Sequence, residues 1–215
     1  MPGGHPEFGG ECLATRLPVR TVHTLDQPLG PEHRASAVAV EILGPGDLGP
    51  VLVVHHKGTY ELHREDVREL QALATARFVE GLVADRPLLP VVLLGDFNAA
   101  PDSAGIRFLT GRQSLDGFGV RYDDAWELVH GASAGHTFDP ANPIVRQGQM
   151  PSERGRRIDY VLTRSGPHGP LLDAAACRVV LDAPVDGVWP SDHFGVLADL
   201  GRPPHPPGEW QPPPL

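Results

Sequence analysis

The sequence predicts a fold that mixes β-sheet with packed helix, and three features carry that expectation. Two apolar, β-branched runs, Val51-Leu52-Val53-Val54 and Val91-Val92-Leu93-Leu94, have the composition of strands covered on both faces. Between them, over residues 64–82, Val67, Leu70, Ala74, Phe78 and Leu82, with Leu73 beside them, recur at helical spacing as one apolar stripe. Polar clusters follow the apolar strands directly, at the edge where open α/β sheets place ligand sites.

Taken in order, residues 1–11 are rich in Gly and Pro and read as a flexible N-terminal segment. Residues 12–15 and 36–43 read as strands; in the second, Val38, Val40 and Ile42 alternate with small or charged residues, the pattern of a half-buried strand. Gly44-Pro45-Gly46-Asp47 opens a loop before the first apolar run. After the second run, residues 101–110 suit a short helix using Ile106 and Leu109, and residues 123–128 another short element. Residues 140–155 read as loop, and residues 156–162, 177–181 and 194–200 as the remaining strands. The domain then spans residues 12–200, and residues 201–215 form a Pro-rich, extended tail.

With 215 residues the chain suffices for one domain with a substantial core. Its 25 glycines and 24 prolines stop short of a disordered polymer because 40% of the residues are hydrophobic. A net charge of −9 argues against broad, sequence-independent DNA binding, which relies on neutralising backbone phosphates. Cys12 and Cys177 have no metal-type spacing and read as buried free thiols. With neither a membrane-length apolar run nor the charge order of a secretory signal, a soluble, cytoplasmic protein is expected.

Four polar clusters share a chemistry: His55-His56-Lys57, Gly95-Asp96-Phe97-Asn98, Arg156-Arg157-Ile158-Asp159-Tyr160 and Ser191-Asp192-His193-Phe194. Carboxylates hold hard divalent cations, histidines move protons or steady developing charge, and an asparagine amide orients a phosphate or a water. That set suits phosphoester hydrolysis. Each cluster alone is weak, since an Asp-His pair is more often a turn with a satisfied side chain. Together, bland loops have no reason to repeat this chemistry after successive apolar strands.

Leu94-Gly95-Asp96-Phe97-Asn98-Ala99, Arg157-Ile158-Asp159-Tyr160-Val161 and Ser191-Asp192-His193-Phe194-Gly195-Val196 resemble, in order, the motifs of the endonuclease/exonuclease/phosphatase superfamily. The strand ending at His55-His56-Lys57, Arg68 and Gln71 on the next helix, and His136-Thr137-Phe138 add to the likeness. The resemblance implies an α+β fold, a four-layer sandwich of two mostly antiparallel sheets flanked by helices. It also implies a divalent-metal-dependent hydrolase of phosphoester bonds using Mg2+, with Mn2+ as a substitute. In that reading Asp96 activates the attacking water and Asn98 bonds the phosphate. Asp192, with Asp96, holds the metal. His193 steadies the phosphate with Asp159 fixing its tautomer, and His56 contacts the phosphate or assists the leaving group.

The superfamily's opening strand with its Asn and the Gln-Glu metal-ligand segment have no counterpart here; Glu7 and Glu11 are the nearest carboxylates. The expectation is therefore an N-terminally incomplete domain whose sheet exposes an apolar edge or face, a route to self-association or to a completing partner. An alternative is a catalytically weak or inactive relative that serves as a binding or structural subunit. Arg146, Arg154, Arg156 and Arg157 against Glu153 make a locally basic loop, suited either to neighbouring phosphates or to solvent. The scattered Trp126, Trp189 and Trp210 give little support to extended single-strand binding. A phosphorylated small molecule or a nucleic-acid end remains as the substrate class.

Overall fold

A computed structural model of the chain describes residues 12–30, 32–148 and 150–205. The segment 1–11 and all but the first residues of the Pro-rich tail lie outside the described residues. The elements run β1 Val19–Pro28, β2 Arg34–Leu43, β3 Pro50–Lys57, α1 Glu65–Val83, β4 Val91–Asp96, α2 Ala104–Leu109, β5 Tyr122–Asp124 and α3 Ala125–His130. They continue with α4 Pro143–Gln147, β6 Asp159–Gly166, β7 Gly169–Pro170, β8 Asp173–Val180 and β9 Gly195–Gly201.

The fold is α+β. One sheet has the strand order β1-β2-β3-β4-β6-β5, with β7 paired to β6, and a second sheet pairs β8 with β9. All the pairs are antiparallel except β3 with β4, which are parallel because α1 crosses between them. The two apolar runs are therefore neighbours, with Leu52 opposite Val91 and Val54 opposite Leu93. On the helix-covered face Ala37, Ala39, Leu52, Val54, Val91 and Leu93 pack with Ala72, Ala76 and Val79 of α1. On the other face Val40, Ile42, Val51 and Val92 pack with Leu172 and, partly buried, Leu200.

Beyond the short helix α4 lying within residues 140–155, which read as loop, three expectations need correction. The residues at 12–15 form no strand, whereas Val19–Pro28 does, as an edge strand almost wholly exposed. Its sequence lacks the alternating pattern because only Leu25 packs, half-buried, against the core. Cys12, placed in the coil before that edge, is exposed; only Cys177 is buried, and burial pushes its thiol pKa up, aided by the charge of Asp124.

The third correction concerns α1. Leu70 is 46% exposed and Phe78 and Leu82 are only partly buried, while Arg68, Gln71 and Thr75 are buried. The buried face is rotated from the apolar stripe because these three polar groups find partners inside. Arg68 donates to the carbonyls of Thr59, Glu61 and Leu62. Gln71 accepts from the Thr59 N–H at 2.9 Å and donates to the Arg34 carbonyl at 2.8 Å. Thus α1 both covers the sheet and clamps the loop that follows β3, since buried polar groups are tolerated when bonded.

Candidate active site

The site grows from the end of β4. Gly95 there has φ +138°, and a Cβ on it would lie 2.0 Å from the His56 carbonyl oxygen, so the strand pair closes this tightly only with glycine. Asp96 follows, and Asn98 turns the chain with φ 50°, a left-handed conformation Asn tolerates better than most residues. Asn98 grips the carboxylate from both sides: its backbone N–H donates to Asp96 Oδ1 at 2.9 Å and its amide to Oδ2 at 3.0 Å. The same amide reaches the Gly58 carbonyl at 2.9 Å, tying the turn to the loop held by α1.

Strand register supplies the rest. Lys57 lies opposite Asp96, and Asp96 lies opposite Asp159, so three charged residues stand in a row across β3, β4 and β6. Lys57 Nζ donates to Asp96 Oδ2 at 2.8 Å. At the far end of the row His193 Nδ1 lies 2.9 Å from Asp159 Oδ2. An ionised carboxylate only accepts, so Nδ1 carries the proton and donates it. Atoms of Asp96, Asp159 and His193 all lie within 4.8 Å of one another.

The approach of His193 to Asp159 is set by residues between the motifs. The Thr137 hydroxyl accepts the backbone N–H groups of Ile158 and Asp159, at 3.1 and 3.2 Å, while its carbonyl accepts that of Phe194 at 2.6 Å. Asn142, fully buried, caps α4 and donates to the carbonyls of Ser191 and Asp192. The Phe138 ring lies 5.0 Å from the His193 imidazole. Thr137 and Phe138 entered the sequence reading only as part of a motif, and Asn142 did not enter it. Its one visible signal is Asn immediately before a proline in a segment read as loop, the form of an N-cap.

Burial works against a charged His193, but the Asp159 hydrogen bond and charge, with Asp96 and Asp192 behind them, outweigh it and hold its pKa above the usual histidine range. The imidazole is thereby biased towards the form that can both donate and neutralise negative charge.

The structure thus brings together Asp96, Asn98, Asp159 and His193. It does not bring His56 to them: in register with Gly95 it faces α1, 2% exposed, with Nδ1 2.9 Å from the Thr75 hydroxyl and its ring 4.7 Å from that of Phe97. Asp192 is exposed, accepts from Ser191 and lies outside the Asp96, Asp159 and His193 cluster. Of the arginines, Arg157 is buried against Asp124 at 2.6 Å, Arg156 pairs with Glu153 at 2.8 Å, and Arg146 bonds the Pro140 carbonyl.

The model of the Endonuclease/Exonuclease/phosphatase family matches residues 3–193. The chain belongs to this family. Solved structures share the family's fold at low identity. A truncated Caenorhabditis elegans TDP2 has 17% identity and a TM-score of 0.61, covering 84% of this chain and 64% of its own. A D. rerio TDP2 complexed with single strand DNA product has 17% identity and a TM-score of 0.65, with coverages of 86% and 69%. The human Nocturnin catalytic domain with bound sulfate has 14% identity and a TM-score of 0.63, with coverages of 87% and 61%. The chain therefore spans less than two thirds of the first of these. No curated protein sequence matches it. Among the described residues no helix is long and apolar enough to cross a membrane.

The family's divalent-metal dependence finds a donor set here. Asp96 and Asp159 offer the oxygens a hard cation prefers, with atoms close enough for one ion, while His193 beside them is committed to Asp159 as a donor.

Proposed function

We propose that this family member is a divalent-metal-dependent hydrolase of phosphoester bonds, with the phosphate seated over Asp96, Asn98 and His193. The observation that carries the reading is the Asp159–His193 pair standing beside the Asn98-gripped Asp96. A phosphoester resists attack through its own negative charge, so catalysis rests on groups that offset charge in the transition state. His193, oriented by Asp159 and biased towards its protonated form, donates to a phosphate oxygen as charge builds there. Asp96, held rigidly by Asn98, orients the attacking water and accepts its proton. A divalent ion, Mg2+ in this reading with Mn2+ as a substitute, would be held by Asp96 and Asp159; bound, it would supply Lewis-acid stabilisation of the phosphate.

The D. rerio TDP2 structure with a single strand DNA product supports a nucleic-acid end as the substrate class. The net charge of −9 is consistent with that choice, since gripping an end needs few phosphate contacts. The deciding experiment measures hydrolysis of bis-p-nitrophenyl phosphate, p-nitrophenyl phosphate and a single-stranded oligonucleotide with Mg2+ or Mn2+, against His193→Ala. Metal-dependent turnover that falls at least about a hundredfold in the variant is expected. Equal rates for both proteins would reject the assignment.

A further inference from the structure

Lys57 stands where the row of charged residues begins, and the fold has no need of it there. Its side chain is 55% exposed, and ion pairs with so exposed a partner contribute little to stability. What the ammonium does is occupy Asp96, the carboxylate on which both the water and the metal depend. Asp96 Oδ2 already accepts from Asn98 at 3.0 Å and from Lys57 at 2.8 Å, while Oδ1 accepts the Asn98 backbone N–H. A magnesium-type ion on the same oxygen, at a bond length of about 2.1 Å, would sit no more than about 5 Å from Nζ. That is inside the screening length of physiological salt, so salt and water weaken the repulsion between the two cations but do not cancel it.

We infer that Lys57 is a cation built into the site: it competes with the divalent ion for Asp96 and binds a phosphate oxygen of the substrate directly. An ammonium carries three donors and Asp96 uses one, while the exposure of the side chain leaves the others accessible. Register places Lys57 on the same face of the sheet as Asp96 and Asp159, with His193 closing the other end. A phosphate over the row therefore meets a positive donor at each end and carboxylates between. A metal-poor site of this kind still attracts phosphate, at the cost of weaker metal binding.

The inference rests on the phosphoesterase reading, and the test separates the two. Lys57→Met keeps the aliphatic stem and removes the charge; Lys57→Arg keeps the charge. Manganese affinity is measured by calorimetry on the full chain without substrate, and inorganic phosphate affinity in chelator by following the His193 ring signals in NMR. In Lys57→Met, Mn2+ should bind about tenfold more tightly and phosphate about tenfold more weakly, the scale of one poorly screened charge contact. Lys57→Arg should keep phosphate affinity near that of the parent. Both shifts are required: unchanged Mn2+ affinity or unchanged phosphate affinity in Lys57→Met overturns the role of Lys57 and leaves the phosphoesterase reading standing. If phosphate in chelator fails to perturb His193 in the parent chain, this inference falls, while the phosphoesterase reading stands or falls separately on metal-dependent hydrolysis by the parent against His193→Ala.

Discussion

Asp159 and His193 are 34 positions apart and meet at 2.9 Å, a distance that makes the charge of one residue part of the other's acidity. Replacing Asp159 by Asn preserves shape and removes the charge, so the His193 pKa should fall back towards or below the ordinary histidine value; NMR titration of the ring reads this directly. The linked stability has a definite sign. Because the folded pKa is raised, the pair stabilises the fold fully below the unfolded histidine pKa and loses that contribution as pH rises through the folded pKa. Denaturant unfolding across that window should show the parent losing stability with pH more than Asp159→Asn does, and parallel curves would disprove the coupling. Gly95 is the second residue whose chemistry is dictated by its place. With Gly95→Ala the added methyl meets the His56 carbonyl at 2.0 Å, so β3 and β4 must part where Asp96 begins. A loss of at least about 2 kcal/mol is expected from the strained φ and the clash together.

Among the elements, α1 shows how the face of a helix is chosen by bonding as well as by hydropathy. Leu73 is 7% exposed and Leu70 is 46% exposed, although both belong to the apolar stripe. Leu73→Ala should therefore cost about 2 to 5 kcal/mol, and Leu70→Ala about 0.5 kcal/mol or less, in urea unfolding. Similar costs would mean the helix is turned otherwise. Phe78, only partly buried against the core, should fall below the cost of a fully buried phenylalanine. In β2, Glu41 is buried and pairs with Arg86 at 2.7 Å and Arg20 at 3.6 Å, and the Arg86 bond chiefly holds its pKa below the usual carboxylate range. Its stabilisation is present above the unfolded glutamate pKa and is lost as pH falls through the folded one. The stability difference between the parent and Glu41→Gln should shrink accordingly below about pH 4.5.

At the scale of the molecule, the buried Asp124–Arg157 pair joins the β5–α3 corner to the residues that lead into Asp159. Asp124 also caps α3 through the Trp126 N–H at 2.9 Å, and the Arg157 guanidinium lies 4.7 Å from the Tyr160 ring centroid. With side chains 2% and 6% exposed, neither charge can turn to water if the other is removed. Asp124→Ala should therefore destabilise by about 3 to 5 kcal/mol, whereas Asp124→Ala combined with Arg157→Met should recover a large part of that loss. Additive losses in the double variant would show that the pair is not coupled. Arg157 lies two residues before Asp159, so the single variant should also loosen the Asp159–His193 contact, visible as a lower His193 pKa.

The sequence by itself determined the elements with strong periodicity or apolar runs, β3, α1 and β4, and the motifs bearing Asp96, Asn98, Asp159 and His193. These were legible because burial on both faces demands continuous apolar residues, and because a metal-and-phosphate chemistry draws on few residue types. Only the tertiary structure decided which side of α1 is buried, since Gln71 and Arg68 are acceptable inside once distant backbone groups pair with them, and Thr75 once the His56 imidazole does. It also decided between adjacent residues at the end of β3. Spacing from a motif favours His56, but a strand turns successive side chains to opposite faces, and pairing with Gly95 and Asp96 sends His56 towards the helix and Lys57 to the carboxylate. That choice depends on strand register, which is set by contacts between segments far apart in the chain and leaves no mark in the local sequence.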